Sequence, residues 1–187
     1  MSRYNDGTRH EAVVKVKDGI TGMGEITATK YYINANGQWP PIRVCRYEVR
    51  IDVAEGENYT AATEVNGGSS WTFTIGKGAQ AVNVPTGKTI VNNDKPVDIS
   101  GWANVTGVEN GETPGALTYE LDVTAPAGVT LIDGKLTVPK SVAKDTVITI
   151  KATAAATNDY NKAEKTFNVM VTDKRPVNLP VSMLGWI

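Results

Sequence analysis

The stretch Arg46-Tyr47-Glu48-Val49-Arg50-Ile51-Asp52-Val53 alternates a charged side chain with an apolar one at every step. Successive side chains of a β-strand point to opposite faces, so this pattern predicts a strand with one buried face and one wet face. Sheets that are solvated on one side are typical of antiparallel β-proteins. The stretch therefore predicts an antiparallel β-fold.

Several other stretches show the same alternation or are rich in β-branched residues. Residues 71–75 read WTFTI and residues 117–123 read LTYELDV, both with period two. The dipeptide Asp133-Gly134 lies between two short apolar runs and predicts a hairpin with a type I′ turn, because it supplies the positive φ angles of that turn. The other predicted strands span residues 12–16, 26–33, 82–84, 90–91, 97–99, 129–132, 135–138, 147–152 and 167–171.

Composition agrees with this assignment and excludes several classes of function. Val, Thr and Ile account for 56 of the 187 residues, whereas Leu and Met account for 10. β-Branched residues favour strands, so the composition predicts an all-β fold. The chain carries 19 Lys and Arg against 20 Asp and Glu, which gives no electrostatic surface for nucleic acid. No apolar run approaches the roughly 18 residues of a membrane-spanning helix, so membrane insertion is not expected.

A local pattern recurs once along the chain and indicates its domain organisation. Tyr59 follows an Asn and has an Ala two residues later, before the strand at 71–75. Tyr160 follows an Asp and has an Ala three residues later, before the strand at 167–171. The two tyrosines lie 101 residues apart, which predicts two modules in tandem. We assign the first module to residues 1–77, the second to residues 78–173, and a proline-containing tail to residues 174–187.

Both modules are predicted to be small Ig-like β-sandwiches, because short strands separated by turn signals are typical of that architecture. The first module has few long strands, so a smaller β-grasp-like sheet is an alternative there. Trp71 and Phe167 lie in the closing strands and are expected to pack in the cores. Tyr59 and Tyr160 are expected to pack at sandwich corners with their hydroxyl groups hydrogen-bonded to backbone.

Residues with catalytic or metal-binding chemistry are scarce. His10 is the only histidine and Cys45 the only cysteine. A catalytic triad would have to use His10, and the usual zinc ligand sets are excluded by count. Calcium would need several oxygen ligands. The acids in predicted loops or near the module boundary do not form a compact Asp-x-Asp run; they are Asp94, Asp98, Glu112 and Asp159. We expect no catalytic residue, no metal and no cofactor, and predict that the protein is not an enzyme.

Two tryptophans are the candidates for ligand binding. Trp39 precedes two prolines and Trp102 lies in a Gly-containing loop sequence, where exposure of the ring is plausible. Sugars stack their C–H groups on exposed aromatic faces, so either ring could form a platform for a glycan. The alternative for each is a ring that only covers the end of a sandwich.

Three stretches of the first module resemble the bacterial Ig-like and MBG/YDG-type repeats of Gram-positive surface proteins from gut Firmicutes. They are residues 18–24 (DGITGMG), 51–59 (IDVAEGENY) and 71–75 (WTFTI). The second module is similar to putative-Ig or cadherin-like bacterial domains, through residues 118–121 (TYEL), 126–131 (PAGVTL) and 134–138 (GKLTV).

The resemblance implies a non-enzymatic structural or adhesive segment, acting as a stalk or spacer in a secreted, cell-wall-associated protein. Its partners would be host or cell-wall glycans or matrix proteins, and the segment would be a monomeric part of a longer chain. The alternative is a carbohydrate-binding module that uses Trp39 or Trp102 as its platform.

Overall fold

A computed structural model describes residues 3–33, 36–109 and 112–173; the predicted tail at 174–187 lies outside the described residues. Within these ranges the regular structure is fifteen β-strands and a single 3-10 turn at Gly68–Ser70. The all-β prediction is therefore confirmed.

Two compact units make up the chain. The first contains Met1–Gln80, Gly107–Gly115 and Ala156–Lys162, and the second contains Ala81–Thr106, Ala116–Ala155 and Ala163–Ile187. The first unit thus includes two later segments that the sequence-based division placed in the second module. Strand periodicity carries no information about which unit a loop contacts, which is why the pattern did not reveal these segments.

The first unit is built on one sheet of six strands, in the order β1-β6-β4-β2-β3, with β5 also paired to β4. The long central strand β4 pairs antiparallel with β2 on one side. On its other side, β6 pairs with the first half of β4 and β5 with the second half. The strands are β1 (Arg3–Tyr4), β2 (Ile26–Ile33), β3 (Asn36–Gln38), β4 (Cys45–Val53), β5 (Ala62–Asn66) and β6 (Thr72–Gly76).

One face of this sheet carries an aromatic core. Tyr47 stacks on Phe73 with ring centroids 5.4 Å apart, and Tyr31 meets the edge of Phe73 at 6.0 Å. Ala12 and Val14 pack against this cluster. The core face is therefore covered in part by the chain between β1 and β2 and not by a second sheet.

The strand predicted at residues 12–16 is wrong, because the structure has no strand between β1 and β2. The sequence does alternate, and Ala12 and Val14 do face the core. The segment nevertheless crosses the face of the sheet, so its backbone has no neighbouring strand to pair with. The first unit is consequently the smaller single-sheet arrangement that the sequence left open, and not a two-sheet sandwich.

The second unit is a sandwich of two main sheets. A four-stranded sheet has the order β11-β14-β15-β8 and a three-stranded sheet the order β12-β13-β9, with a further pair β10-β7. The strands are β7 (Ala81–Asn83), β8 (Lys88–Val91), β9 (Val97–Asp98), β10 (Asn104–Thr106), β11 (Leu117–Leu121), β12 (Thr130–Ile132), β13 (Lys135–Thr137), β14 (Val147–Ala154) and β15 (Ala163–Thr172).

The core of the second unit draws on both main sheets. Leu136 from the three-stranded sheet and Ile148 and Ile150 from the four-stranded sheet are completely buried in one cluster. Along β14 the buried residues alternate with half-buried and exposed ones, as expected for a strand with one face in the core. The sequence-based prediction of a sandwich is confirmed for this unit.

The predicted hairpin at Asp133-Gly134 is also confirmed. Ile132 pairs with Lys135, so the turn has two residues. Asp133 has φ 48° and Gly134 has φ 71°, as a type I′ turn requires.

Candidate functional site

In both units, a strand early in the chain order pairs in parallel with the last strand of the same sheet. In the first unit β1 pairs with β6, with Arg3 opposite Ile75 and Tyr4 opposite Gly76. In the second unit β8 pairs with β15 from Val169 opposite Lys88 to Thr172 opposite Val91. We call β1–β6 and β8–β15 the parallel terminal pairs. All other pairings between the described strands are antiparallel.

The direction of pairing determines how such a pair responds to tension. Two parallel strands have their amino ends at the same end of the pair. Pulling the first strand toward the amino terminus and the last toward the carboxyl terminus therefore slides them in opposite directions along one axis. This shear loads the interstrand hydrogen bonds together. An antiparallel hairpin pulled at its open end instead loses its bonds one after another.

The terminal pair of the second unit has additional hydrogen bonds at the end of β15. The backbone N–H of Asn92 donates to the Thr172 carbonyl at 3.0 Å, and the Thr172 hydroxyl donates to the Ile90 carbonyl at 3.3 Å. Val171 exchanges further backbone bonds with the turn before β14, through Asp145 and Thr146. Since Ile90 and Val171 are buried, these bonds lie next to the core and are shielded from competing water.

The terminal pair of the first unit is shorter but is extended at its end. Beyond Tyr4, the N–H of Asn5 donates to the Gly76 carbonyl at 2.9 Å. The Nε2 atom of His10 lies 3.0 Å from the Tyr4 carbonyl oxygen. Ile75, opposite Arg3, is fully buried. The paired backbone of β6 is therefore supported by the core of this unit.

A network of charged and polar side chains joins β2, β4 and β5 in the first unit. The Lys30 ammonium lies 2.8 Å from Asp52 and 2.7 Å from Glu64. The Arg50 guanidinium lies 2.8 Å from Glu48 and 3.4 Å from Glu64. The Tyr32 hydroxyl donates to Glu64 at 2.8 Å, so Glu64 is the centre of the network. We call this set the polar network; its members are Lys30, Tyr32, Glu48, Arg50, Asp52 and Glu64.

These contacts shift the ionisation of the network in a consistent direction. Hydrogen bonds from Lys30 and then Tyr32 hold the pKa of Glu64 below its usual value, and a hydrogen bond from Lys30 does the same for the pKa of Asp52. Hydrogen bonds to Asp52 and then to Glu64 raise the pKa of Lys30. Glu64 also has φ 55°, an uncommon conformation for this residue type, and its N–H donates to Asp52 at 3.0 Å. The network therefore holds β5 against β4.

The structure places the two candidate sugar platforms in different units and different settings. Trp39 is 54% exposed and lines a surface concavity with Ile33, Ile42 and Tyr47. Trp102 is half-buried, packs against the core of the second unit, and has the Lys88 ammonium 4.9 Å from its ring centroid. Sugar binding by either ring stays a prediction.

The two tyrosines of the recurring pattern differ in their surroundings. Tyr160 is 1% exposed, and its hydroxyl accepts a hydrogen bond from the Glu109 N–H at 2.9 Å. Tyr59 is 46% exposed. The expectation that Tyr59 packs inside a corner is therefore wrong. Its neighbour Asn58 is bonded to Thr21 and Gly22, so the local chain is held without the ring.

The other two aromatic candidates lie against their cores. Phe167 is buried in the second unit, with the Tyr119 ring edge-on at 6.4 Å. Trp71 is half-buried beside the aromatic cluster of the first unit.

Three of the four acidic residues considered for calcium, all but Asp159, have separate partners for their carboxylates. Asp94 binds the backbone and the ammonium of Lys140, and Asp98 accepts from the Ser100 N–H. Glu112 accepts from the Asn5 side chain. Among the described residues, no three His, Cys, Asp or Glu side chains come together as a metal site. No helix in the described ranges is long and apolar enough to cross a bilayer.

The sequence did not reveal the parallel terminal pairs or the polar network. β1 has two residues and β8 has four, too few for a reliable period. Alternation does place Glu48, Arg50 and Asp52 on the wet face of β4, but it cannot show that Lys30 and Glu64 reach them from other strands. Pairing partners far apart in sequence are set by the tertiary structure.

Comparisons with known proteins give little further information. No family model matches the chain, and no curated protein matches it. Among solved structures, the crystal structure of Drosophila N-cadherin EC1-3 aligns with 92% of this chain and 63% of that chain at 12% identity, with a TM-score of 0.37. At this TM-score the likeness carries no argument about function.

Proposed function

We propose that the chain is a load-bearing structural segment of a bacterial cell-surface protein, a stalk or spacer without enzymatic activity. The observation that carries this proposal is the parallel terminal pair present in each unit. A spacer transmits tension along the chain, and tension on a parallel terminal pair becomes shear.

The details of each unit fit this role. The pair β8–β15 is shielded by buried residues and supplemented by the bonds at Asn92 and Thr172. The pair β1–β6 is extended by the bond from Asn5 to Gly76. Resistance to shear thus combines backbone hydrogen bonds with exclusion of water, which strengthens such bonds.

The cell-surface setting rests on the resemblance of residues 18–24, 51–59 and 71–75 to repeats of Gram-positive surface proteins. In such a protein the segment would be secreted and would project another domain from the wall. Contact with host or cell-wall glycans or with matrix proteins would make the segment adhesive as well as structural.

The test is single-molecule pulling of the same chain in two directions. In the first geometry the handles are at the two chain termini, so tension enters the second unit through β7, which pairs with β10, and shears β8 against β15. In the second geometry one handle is attached at Lys144→Cys and the other at the carboxyl terminus. Val147 pairs with Met170, so this geometry pulls β14 and β15 apart from one end. Both versions carry Cys45→Ser, which removes the native thiol.

We expect the second unit to rupture at a several-fold higher force in the terminal geometry at the same loading rate. Thermal unfolding of both handle-bearing chains serves as the control and should give the same midpoint. Equal rupture forces in the two geometries would contradict the proposal.

A further inference from the structure

We propose that residues 11–17 form an antiparallel strand pair with the same residues of a second copy of this chain. This segment (EAVVKVK) is the alternating stretch that has no strand partner within the first unit. The proposal concerns association between copies and does not depend on the load-bearing role.

One edge of the segment is already bonded within the unit. The N–H of His10 donates to the Pro41 carbonyl and the N–H of Ala12 donates to the Tyr31 hydroxyl, both at 2.9 Å. These residues are two apart, and in an extended chain alternate N–H groups lie on the same edge. Burial shows the extended period over residues 11–15, because Ala12 and Val14 are half-buried whereas Glu11, Val13 and Lys15 are exposed; Val16 is exposed as well.

The opposite edge is available. It carries the backbone groups of Glu11, Val13, Lys15 and Lys17, of which the Lys17 carbonyl accepts a turn bond from Ile20. Within residues 3–33, 36–109 and 112–173, the backbone of residues 13–16 has no strand partner and no hydrogen bond. The Val13 side chain is 81% exposed. A β-prone segment with an unpaired edge is a template for strand addition.

The charge pattern selects a second copy in the antiparallel direction. If two segments pair about a two-fold axis at Val14, Glu11 of each lies opposite Lys17 of the other. In-register parallel pairing would instead place Glu11 against Glu11 and Lys17 against Lys17. Opposite charges across strands are stabilising and like charges are destabilising, so the antiparallel register is favoured.

In this antiparallel register, the backbone groups that would hydrogen-bond between the two copies are those on the open edge of the segment. With Val14 opposite Val14, the hydrogen-bonded pairs fall at the odd-numbered residues, for example Val13 opposite Lys15 of the second copy. Each such pair exchanges backbone hydrogen bonds, and the odd-numbered residues are those on the open edge. Glu11 forms an ion pair with Arg9 through Oε1, and both side chains are more than half exposed, so Oε2 remains available for Lys17 of the second copy.

The interface is a single symmetric strand pair, so a weak dimer is expected. A two-fold contact of this kind is self-complementary and closes at two copies. On a surface where many copies are tethered close together, the high local concentration would raise the occupancy of such a weak contact.

Sedimentation equilibrium of the whole chain, from about 0.02 to 2 mM, measures this association. We expect the wild type to dimerise in this range. The variants Glu11→Lys and Lys17→Glu each place like charges at two symmetric positions, and each should weaken self-association by roughly tenfold or more. The control is Glu25→Lys, which makes the same charge change at an exposed residue outside the pairing segment and should leave the dimer unchanged.

The decisive arm mixes the two variants. A Glu11→Lys chain paired with a Lys17→Glu chain has an opposite charge at both contacts, so the mixture should form a heterodimer about as strong as the wild-type dimer. Three results would each overturn the proposal: a wild type that stays monomeric throughout, variants that dimerise like the wild type, or a mixture that does not restore association.

Discussion

Each unit contains a parallel terminal pair, but the cores that pack against the two pairs differ. Among the described residues, the core of the second unit has fifteen buried residues from its strands and the loops between them, whereas the buried cluster of the first has four, beside one sheet. The first unit adds the polar network on β2, β4 and β5 and covers its core with the segment around Ala12 and Val14. The same mode of pairing can thus be supported mainly by apolar burial or by a small core with ionic contacts.

This difference predicts that the two units respond to different perturbations. Apolar burial stabilises roughly in proportion to the area removed from water and depends little on pH. Contacts between partly exposed charges depend on ionisation and on salt. The second unit should therefore be sensitive to truncation in its core, and the first to changes of charge and to the anchoring of its covering segment.

The largest effect is expected for Ile150→Ala in the second unit. Ile150 is completely buried, and removing three carbons from a packed core costs about 2–5 kcal/mol of unfolding free energy. The matched control is Val147→Ala in the same strand, which is exposed and should change stability by less than about 0.5 kcal/mol. Urea unfolding followed by amide exchange of each unit measures both. Similar losses for the two variants would contradict the apolar account of this unit.

A smaller effect is expected for Tyr31→Phe in the first unit. The change keeps the aromatic ring but removes the acceptor of the Ala12 N–H, so the covering segment loses an anchor. The loss of one such hydrogen bond corresponds to about 1 kcal/mol. Tyr59→Phe is the control, because Tyr59 is exposed and no hydrogen bond of its hydroxyl is found in the described part of the chain. Amide exchange of residues in β2 and β4 reports the change, and equal exchange in both variants would show that the segment is not anchored through Tyr31.

The mildest effect should appear when the first unit is acidified, through protonation of Glu64. The pKa of Glu64 is lower in the folded than in the unfolded state, so the unfolded chain takes up the proton first. The stabilisation is complete above the unfolded pKa of about 4.3 and is lost as the pH falls through the folded value. Glu64→Gln should flatten this acid dependence, whereas Glu57→Gln, at an exposed residue outside the network, should not. Urea midpoints of the first unit between pH 7 and pH 3 provide the comparison; parallel curves for wild type and Glu64→Gln would exclude the network as the cause.

Alternation along the chain was sufficient to predict the long strands but not their surroundings. It located β4 and β14, because a strand with one buried face has apolar residues at every second position. The Asp133-Gly134 hairpin was located by its turn residues. The same signal failed at residues 12–16, where side chains alternate between core and solvent without any strand partner. Period two reports an extended backbone, and pairing requires a neighbour that the local sequence does not specify.

The candidate site was less predictable than the fold. Tyr59 and Tyr160 share a sequence context, yet Tyr160 is buried and Tyr59 is exposed, since burial depends on what the tertiary structure packs around each ring. The strands of each parallel terminal pair are far apart in the sequence, as Tyr4 and Gly76 are. Contacts over such separations are set by topology, so neither periodicity nor composition could have indicated them.

The most direct test of the load-bearing account is the order of rupture when the whole chain is pulled from its two ends. The pair β1–β6 has two residue pairs in register and β8–β15 has four. The account predicts two separate events, with the first unit yielding at the lower force and the second at the higher. Ile150→Ala should lower only the higher-force event. Unfolding of the second unit at the lower force, or rupture forces no greater than those for pulling between residue 144 and the carboxyl terminus, would contradict it.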